Sequence, residues 1–410
     1  MHELLQKRWS LQDCIAHCGD TCPLLLKFAD TEQDPQWHAE GNVAIHTDMV
    51  MKEAYDLIEG PLSHWSEEQK VMLVLAALFH DYAKPVCTTR REINGVERVV
   101  APKHEGVGAS LLMHCPAPFG LTYAQWRDVI SLTAYHHIPK LLVLKDADKA
   151  AYYRLARQVP SLEALYYLEI ADMRGRTCDD KREQIELMDL FKMFAEDAKC
   201  FTAMHYPDLA AKVKLAFNVE DDDMVRAGLA QRVQDTAMIH MEEGRIYVAE
   251  EEIALAFNYR QQSHVIVLCG VAGCGKSTWA ERLPASFENI ELDEIRESLK
   301  AGRAGQSDND AVLRIAMERL RNALREKRHV VWNATGYRRD FRTRVIDLAV
   351  AYGAYTEIVA FHCDRTTLVA RNNARKFPVP DDVLNSMIEK YQWPEVGEAH
   401  RLTWENSESR

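Results

Sequence analysis

One short stretch strongly limits how the C-terminal part of this chain can fold. Four apolar residues at 265–268 precede the sequence GVAGCGKST at 270–278, and a helical pattern follows. This spacing is typical of a phosphate-binding loop between a buried strand and a helix, although a plain glycine turn is the alternative interpretation. In such a loop Lys276 reaches the β- and γ-phosphates of a nucleoside triphosphate, and Ser277 holds Mg²⁺. The predicted ATP-binding residues are Gly270, Gly273, Gly275, Lys276, Ser277 and Thr278.

The chain has 410 residues, which predicts two or three domains because a single core rarely grows beyond roughly 250–300 residues. We predict an N-terminal domain at 1–200, a helical connecting segment at 201–260 and a nucleotide-binding domain at 261–410. The connecting segment has polar turns at 206–208 and 220–223 and no residues arranged for chemistry. Neither a signal-like N-terminus nor an apolar run of roughly 18 residues occurs, so we expect a cytoplasmic protein without a membrane partner.

Three of the ten cysteines, Cys14, Cys18 and Cys22, cluster near the N-terminus. Their i, i+4 spacing describes one buried face of a helix, and cysteine is among the most frequently buried residue types. A three-ligand zinc or iron–sulfur site that includes His17 is the alternative. We interpret the cysteines as reduced core residues of an intracellular protein.

Charge and histidine are unevenly distributed along the chain. Residues 1–262 hold 28 Lys and Arg against 41 Asp and Glu, whereas residues 263–410 hold 22 against 21. An acidic half does not attract nucleic acid by its overall field, so any polynucleotide must be held by local arginines and metal ions. Twelve of the 16 histidines lie in residues 1–262. Histidines and carboxylates together indicate a metal site.

Potential metal ligands recur at the ends of apolar helical stripes. His80 and Asp81 follow the nearly all-apolar segment 71–79, and we expect Pro85 to stop or kink that helix. An isolated His-Asp pair also fits a capped core helix, but its recurrence elsewhere favours ligands that share an ion. The candidate ligands are His46, His80, Asp81, His104, His136 and Asp172, with His137 as an alternative to His136.

Two groups of basic residues near these ligands carry a charge that suits a phosphate. Lys84 lies one helical turn after His80 and is a candidate donor to a phosphate oxygen. Arg174 and Arg176 follow Asp172 closely and are candidates to meet the substrate. The alternatives are a solvated lysine at a helix end and arginines that pair with nearby carboxylates.

The order of the candidate ligands resembles the HD phosphohydrolase superfamily, whose pattern is His, then His-Asp, then a distant Asp. Residues 30–200 look most like the HD domain appended to bacterial CCA-adding enzymes. The resemblance implies an all-α phosphoesterase domain whose metal makes bound water nucleophilic. Mn, Co, Ni, Fe, Cu and Zn all suit His and Asp ligands. In two-metal members of this superfamily the primary sphere would map onto His46, His80, Asp81 and Asp172, and a second position onto His104 and His136.

The residues after the phosphate-binding loop alternate between strand and helix patterns. Such alternation predicts an α/β domain with a parallel sheet, whose ligands lie at the C-terminal ends of its strands. Asp293, Asn333 and Thr335 fall at such ends. No separate acidic strand resembles a Walker B motif, which argues against a motor ATPase. The predicted strands are residues 289–293, 329–336, 355–363 and 400–404.

A kinase needs a base for the acceptor hydroxyl and positive charge over the transferred phosphoryl group. Asp293 suits the first role and Arg371 with Arg375 suit the second, although a helix N-cap and surface charges are the alternatives. The domain resembles the 5′-OH polynucleotide kinases, in which a phosphate-binding loop precedes Asp-x-x-Arg and an Arg-x-x-x-Arg lid. This resemblance implies that Asp293 activates a 5′-hydroxyl and that Arg296 contacts a phosphate of the acceptor strand.

The two resemblances together match the bacterial HD-Pnk family of RNA end-healing enzymes. They imply removal of a 2′,3′-cyclic phosphate or 2′-phosphate by the N-terminal domain and ATP-dependent phosphorylation of a 5′-OH by the C-terminal domain. The implied partners are broken RNA or DNA ends and a separate ligase, and a homodimer remains open. Two alternatives also remain: a nucleotide-metabolism enzyme with a small-metabolite kinase, and an ATP-sensing regulator of the phosphohydrolase.

Overall fold

The computed structural model describes residues 2–202, 209–217, 224–255, 262–300, 307–334, 336–375 and 378–406. The chain divides into two compact units, residues 1–205 and residues 206–410. The polar turns predicted at 206–208 and 220–223, and the predicted strand-end residue Thr335, lie outside the described residues. Within the described ranges, the helices lack the combination of length and apolarity that a membrane crossing requires.

The first unit is built almost entirely from helices, which confirms the predicted fold class. Capping boxes at Ser10, Ser66 and Thr122 start three of these helices, because each side chain accepts from the backbone N–H three residues on. Two short 3-10 helices span Pro23–Asp30 and Pro118–Gly120. The α-helices are α1 (His2–Gln6), α2 (Leu11–Cys18), α3 (Val43–Glu59), α4 (Glu67–Phe79), α5 (Lys84–Cys87), α6 (His104–Leu112), α7 (Tyr123–Tyr135), α8 (Ile138–Leu144), α9 (Lys149–Ala156), α10 (Leu162–Arg174) and α11 (Lys181–Asp197).

Helix α4 lies at the centre of the first unit. It packs against α3, α7 and α10, and every residue from Leu73 to Phe79 is fully buried. A helix that is apolar on all sides must be surrounded by other elements. The C-terminal end of α4 therefore lies among the ends of its neighbours, and this is where the polar side chains of the unit collect.

A two-stranded antiparallel hairpin interrupts the helices, and it is absent from the sequence prediction. The two strands are β1 (Thr89–Ile93) and β2 (Val96–Val100). Ile93 lies opposite Val96 next to the turn, and the pairing continues to the other end of both strands. The turn residues Asn94 and Gly95 both have positive φ, at 52° and 78°. Asn-Gly between two strand-forming runs is the strongest local signal for such a turn, so the hairpin was readable from the sequence.

The prediction for Pro85 was wrong. Helix α4 ends at Phe79, and Pro85 lies in the first turn of α5. Proline is tolerated in the first turn, where a missing N–H removes no intrahelical hydrogen bond. The residues between the two helices include His80, which caps α4, and Asp81.

The second unit contains a five-stranded parallel sheet, as predicted. The strand order is β4, β5, β3, β6, β7, so the strand that precedes the phosphate-binding loop is central. The strands are β3 (His264–Cys269), β4 (Phe287–Glu291), β5 (His329–Asn333), β6 (Tyr355–His362) and β7 (Arg401–Asn406). The helices are α12 (Leu209–Phe217), α13 (Met224–Glu242), α14 (Ala249–Leu255), α15 (Lys276–Ala280), α16 (Leu292–Lys300), α17 (Ser307–Arg325), α18 (Arg339–Ala351), α19 (Arg365–Asn373) and α20 (Asp381–Glu389).

The described helices of the predicted connecting segment form a small core of their own within the second unit. Leu209, Val213, Val233 and Ala237 are buried together there. Helix α13 also meets the sheet, since the hydroxyl of Tyr355 donates to Asp235 Oδ2 at 2.6 Å. The described part of this segment is thus packed structure beside the sheet.

Candidate functional sites

The phosphate-binding loop has the backbone that its glycines permit. Gly273 and Gly275 have φ of 86° and 96°, values that L side chains rarely adopt. The ammonium of Lys276 is buried and donates to the carbonyl oxygens of Gly270 at 3.0 Å and Val271 at 2.7 Å. The loop therefore curls over its own lysine, and successive N–H groups form the concavity that suits phosphate.

Two side chains meet the hydroxyl of Ser277, namely Asn333, which the sequence analysis placed at a strand end, and Glu291, which it did not name. That hydroxyl donates to Glu291 Oε1 at 3.1 Å and accepts from Asn333 Nδ2 at 3.3 Å. Glu291 and Asn333 are partners in register at the C-terminal ends of neighbouring parallel strands. In P-loop enzymes Mg²⁺ is held by this hydroxyl and a carboxylate, so the pair fits that ion. Glu291 is the last residue of β4, but it lies in the middle of the strand predicted at 289–293, so its position gave no signal.

One cavity of about 630 Å³ collects the predicted kinase residues. Its lining includes the loop residues 272–278, Asp293 with Arg296, and Arg371 with Arg375. Arg296 donates to Asp293 Oδ1. A Cβ placed on Gly275 would lie 3.9 Å from Arg371 Nη1, so this guanidinium stands over the loop. Gly270 is not among the described lining residues of this cavity. A Cβ added to Gly270 would come 2.4 Å from Cys274 Sγ, so a larger residue would clash there. Further lining residues that sequence reasoning missed are Trp279, Arg282, Phe361, Met387, Glu405 and Asn406.

In the first unit, three helix regions bring one group of candidate ligands together. His46 from α3, His80 after α4 and Asp172 from α10 present nitrogen and oxygen atoms that lie within 4.8 Å of one another. His46 Nε2 lies 3.0 Å from Asp172 Oδ1 and 3.3 Å from His80 Nε2. All three residues are fully buried or nearly so. A buried cluster of imidazole and carboxylate groups is suited to a transition metal.

A second group lies beside the first. His104, His136 and His137 also present atoms within 4.8 Å of one another. Asp81 lies between the groups, with Oδ2 3.2 Å from His80 Nε2 and Oδ1 3.1 Å from His104 Nε2. The structure therefore brings all six predicted ligands together and adds His137, whose Nδ1 lies 2.7 Å from Glu105 Oε1.

Three imidazoles are oriented by the backbone of their own segment. Nδ1 of His80, His104 and His136 lies 2.8 Å from the carbonyl oxygens of Ala77, Ala101 and Thr133 respectively. A proton on Nδ1 satisfies each carbonyl and leaves the lone pair of Nε2 free for a metal. His136 Nε2 is buried and has no hydrogen-bond partner among the described residues. An orphaned buried nitrogen of this kind fits a metal ligand, so the residues suit the ions that the sequence implied.

Burial and neighbouring charges set the protonation of this cluster. Burial, together with the adjacent histidines, holds the pKa of His136 well below its usual range, so the imidazole is neutral. Burial opposes ionisation of Asp172, but Arg176 and His46 outweigh it and hold the pKa of that carboxyl well below its usual range. Glu169, one turn before Asp172, has its pKa raised well above its usual range by burial and by Asp172. Glu169 was missed because nothing in its helical spacing distinguishes it.

Two cations contact the carboxylates of the cluster. Lys84 Nζ lies 2.7 Å from Asp81 Oδ2 and donates to Gln33 Oε1 at 2.5 Å. Arg176 donates to both carboxylate oxygens of Asp172. Both cations border a cavity of about 520 Å³ that His104 and His137 also line. Lys84 thus lies where the sequence placed it, and Arg176 both pairs with a carboxylate and borders the cavity.

A close helix contact holds two of the ligand-bearing helices together. A Cβ on Gly175 would lie 2.7 Å from Val50 Cγ2 and 2.9 Å from the backbone nitrogen of Val50. Only glycine permits this approach of α10 to α3. The contact lies one turn from Asp172 and one turn from His46, and so it fixes the separation of these two ligands.

The cysteine cluster takes no part in either site. Cys14, Cys18 and Cys22 are buried in the core of the first unit, and burial raises the pKa of the Cys14 thiol. In the described ranges, the groups whose atoms are close enough to share an ion do not include these cysteines. The interpretation as core residues therefore agrees with their surroundings.

Comparison with known protein families assigns a domain to each unit. A family model for the HD domain matches residues 43–170, a range that contains His46, the His80-Asp81 pair and His136. A family model described as an AAA domain matches residues 265–394, from the central strand of the parallel sheet through α20. The chain therefore joins an HD domain to a P-loop, kinase-like domain, an arrangement that supports a phosphohydrolase and a kinase.

Proposed function

We propose that this protein heals broken nucleic-acid ends. Its kinase-like domain phosphorylates a 5′-OH with ATP, and its HD domain removes a 2′,3′-cyclic phosphate or 2′-phosphate at the other end. The two products are the ends that a ligase joins, so a separate ligase is the expected partner. RNA ends are the natural source of 2′-phosphates, because the chemistry requires the 2′-oxygen.

One observation carries the kinase part of the proposal. Asp293 and Arg296 line the same cavity as Lys276, and they are paired with each other. In this arrangement Asp293 accepts the proton of an acceptor hydroxyl, and Arg296 keeps a positive charge beside it for a neighbouring phosphate. A small alcohol has no phosphate for that arginine, whereas a polynucleotide end has one.

The remaining cations serve the transferred phosphoryl group. Lys276 opposes the charge of the donor phosphates, and Arg371 and Arg375, which line the same cavity, suit the transferred phosphoryl group. Ser277, with Glu291 and Asn333 beside it, would hold Mg²⁺. Mg²⁺ held there would supply positive charge to the phosphates of ATP.

In the HD domain the two buried ligand groups, with Asp81 between them, would hold the metal. A bound transition metal lowers the pKa of water toward neutrality and so supplies the nucleophile. The chain contributes the rest: Lys84 and Arg176 provide positive charge at the cavity beside the ligands. These cations stabilise the negative charge that grows on a phosphodiester during hydrolysis.

A single assay separates this proposal from its competitors. Labelled ATP is offered to the protein together with a 5′-OH oligonucleotide, a nucleoside 3′-monophosphate or a panel of small alcohols. We expect transfer to the oligonucleotide to be the fastest by far. Transfer only to a small alcohol would identify a metabolite kinase, and ATP binding without any transfer would identify an ATP-sensing regulator. Release of phosphate from 2′,3′-cyclic and 2′-phosphate ends, with Mn²⁺, Co²⁺, Ni²⁺ or Cu²⁺ supplied, tests the HD domain in parallel.

A further inference from the structure

The cavity beside the metal-ligand groups is larger than a phosphate requires. Its volume of about 520 Å³ falls in the range of roughly 300–1,000 Å³ that small-molecule sites occupy. Four lining residues are basic, namely Lys84, Lys103, Lys140 and Arg176. Four others offer an indole ring or apolar surface, namely Trp37, Val99, Val100 and Pro102. Four more are acidic, namely Glu32, Asp34, Glu105 and Asp180. The basic and apolar parts of this lining suit a ligand with an anionic part and a flat apolar part.

A buried carboxylate orders the loop that carries Trp37 at this cavity. Asp34 is 3% exposed, and its Oδ2 accepts from the backbone N–H of Val99 at 3.0 Å. Its Oδ1 accepts from Arg98 Nη1 at 3.2 Å, and the Arg98 guanidinium lies 5.5 Å from the centroid of the Trp37 indole. Asp34 thus ties the loop that carries Trp37 to strand β2, and the guanidinium packs against the half-buried ring. A ring fixed in this way is organised before any ligand arrives.

The same loop continues directly into the metal-ligand region. His38 follows Trp37 in the chain, and its ring centroid lies 4.7 Å from that of His46. The indole of Trp37 lines the same cavity as the candidate ligands His104 and His137. A single nucleotide, whose base and phosphate are joined through one sugar, is a ligand that can meet an indole and metal ligands in one cavity.

We propose that Trp37 is the base-binding platform of the HD domain, on which the nucleobase of the terminal nucleotide stacks while its 2′,3′-cyclic phosphate meets the metal-ligand groups. This inference rests on the proposed phosphoesterase function and names the part of the substrate that the domain recognises. Every base has a π-face, so stacking tolerates all four bases. The platform gives a role to the aromatic ring that borders the same cavity as Lys84 and Arg176.

The test compares a substrate with a base and one without. The substrates are adenosine 2′,3′-cyclic phosphate and methyl riboside 2′,3′-cyclic phosphate, and the enzyme is the full chain with Mn²⁺ supplied. The variants are Trp37→Ala, Trp37→Phe and, as a matched control, Trp9→Ala. Trp9 is also a half-buried indole of the first unit, but it packs against His17 and Phe119. Melting curves establish that each variant is folded.

For Trp37→Ala we expect the ratio of kcat/KM on the adenosine substrate to that on the methyl riboside to fall roughly 5- to 150-fold, the usual effect of removing a stacking ring. Trp37→Phe should restore most of the ratio, and Trp9→Ala should leave it as in the wild type. A ratio that stays constant in Trp37→Ala, including an equal loss on both substrates, overturns the inference.

A binding measurement keeps this inference separate from the proposed reaction. If the wild type hydrolyses neither substrate, the proposed phosphoesterase function fails, and calorimetric titration with adenosine 2′,3′-cyclic phosphate decides the base site alone. Weaker binding by Trp37→Ala than by Trp37→Phe supports the platform. Equal binding by the two variants, or no binding by the wild type, refutes it.

Discussion

Replacing Glu291 with glutamine isolates the charge that stands beside the hydroxyl of Ser277. Glutamine keeps the size of the side chain and an oxygen that accepts the 3.1 Å hydrogen bond. The other partner of that hydroxyl, the amide of Asn333 at 3.3 Å, is already neutral. The substitution therefore removes the carboxylate charge at this point of the site and leaves its hydrogen bonds in place.

The expected effect is a loss of Mg²⁺ affinity rather than a loss of the fold. Changes to the groups that support a metal ligand cost about 10- to 100-fold in metal affinity or activity. We therefore expect the Mg²⁺ concentration for half-maximal 5′ phosphorylation to rise by about 10- to 100-fold, with much of the turnover recovered at saturating Mg²⁺. ATP binding measured by calorimetry should show the same shift in its Mg²⁺ dependence.

A charge-matched control lies close by. Glu294 is exposed in the first turn of α16, and the described cavity lining does not include it. Glu294→Gln changes the net charge by the same amount, so it should leave the Mg²⁺ dependence as in the wild type. Our reasoning is refuted if Glu291→Gln keeps the wild-type Mg²⁺ dependence, or if the control shifts it equally.

Three further predictions follow from the two sites and from one half-buried histidine. Lys276→Ala should abolish phosphoryl transfer from ATP and spare the phosphoesterase, whereas Asp81→Ala should do the reverse; loss of both activities in either variant would contradict separate sites. Arg371→Ala should lower kcat more than ATP affinity, because its charge is needed mainly in the transition state, and an effect on KM alone would make it a nucleotide-binding residue. Burial lowers the pKa of His400 to about 4, and Nδ1 of this ring accepts from the backbone N–H of Thr356 at 3.1 Å. In the unfolded chain this ring takes up a proton below about pH 6.5, whereas in the folded chain it does so only near pH 4. The free energy of unfolding of the second unit should therefore fall by up to roughly 3 kcal/mol from pH 7 to pH 4. Urea unfolding of the wild type and of His400→Gln checks this, since the substitution should flatten the pH dependence.

Much of the fold was readable because the relevant signals are local. The glycine loop, the alternation of strands and helices, and the apolar segment 71–79 each depend on neighbouring residues alone. The hairpin was also local, and its Asn94-Gly95 turn was the overlooked signal. Pro85 was misjudged because its position relative to a helix end decides its effect, and the end of α4 is set by packing.

The sites were predictable to the extent that ligands lie at element ends. His46, His80 and Asp172 stand out by helical spacing, and Asp293 stands out by the strand before it. Glu291 and Glu169 could not be assigned in this way, because their roles depend on neighbours far away in sequence. Asn333 is 56 residues from Ser277 in the chain, and only the register of parallel strands brings the two together.

The backbone anchoring of His80, His104 and His136 has a consequence for how the metal can be handled. Each ring is held through Nδ1 by a carbonyl three residues earlier, so its orientation depends on a local turn and not on the ion. Withdrawing the metal with a chelator should therefore leave the rings aimed as before. The HD domain should therefore stay folded when its metal is removed, and it should bind the same or a different ion afterwards without refolding. Small zinc domains differ, because their folding depends on the metal.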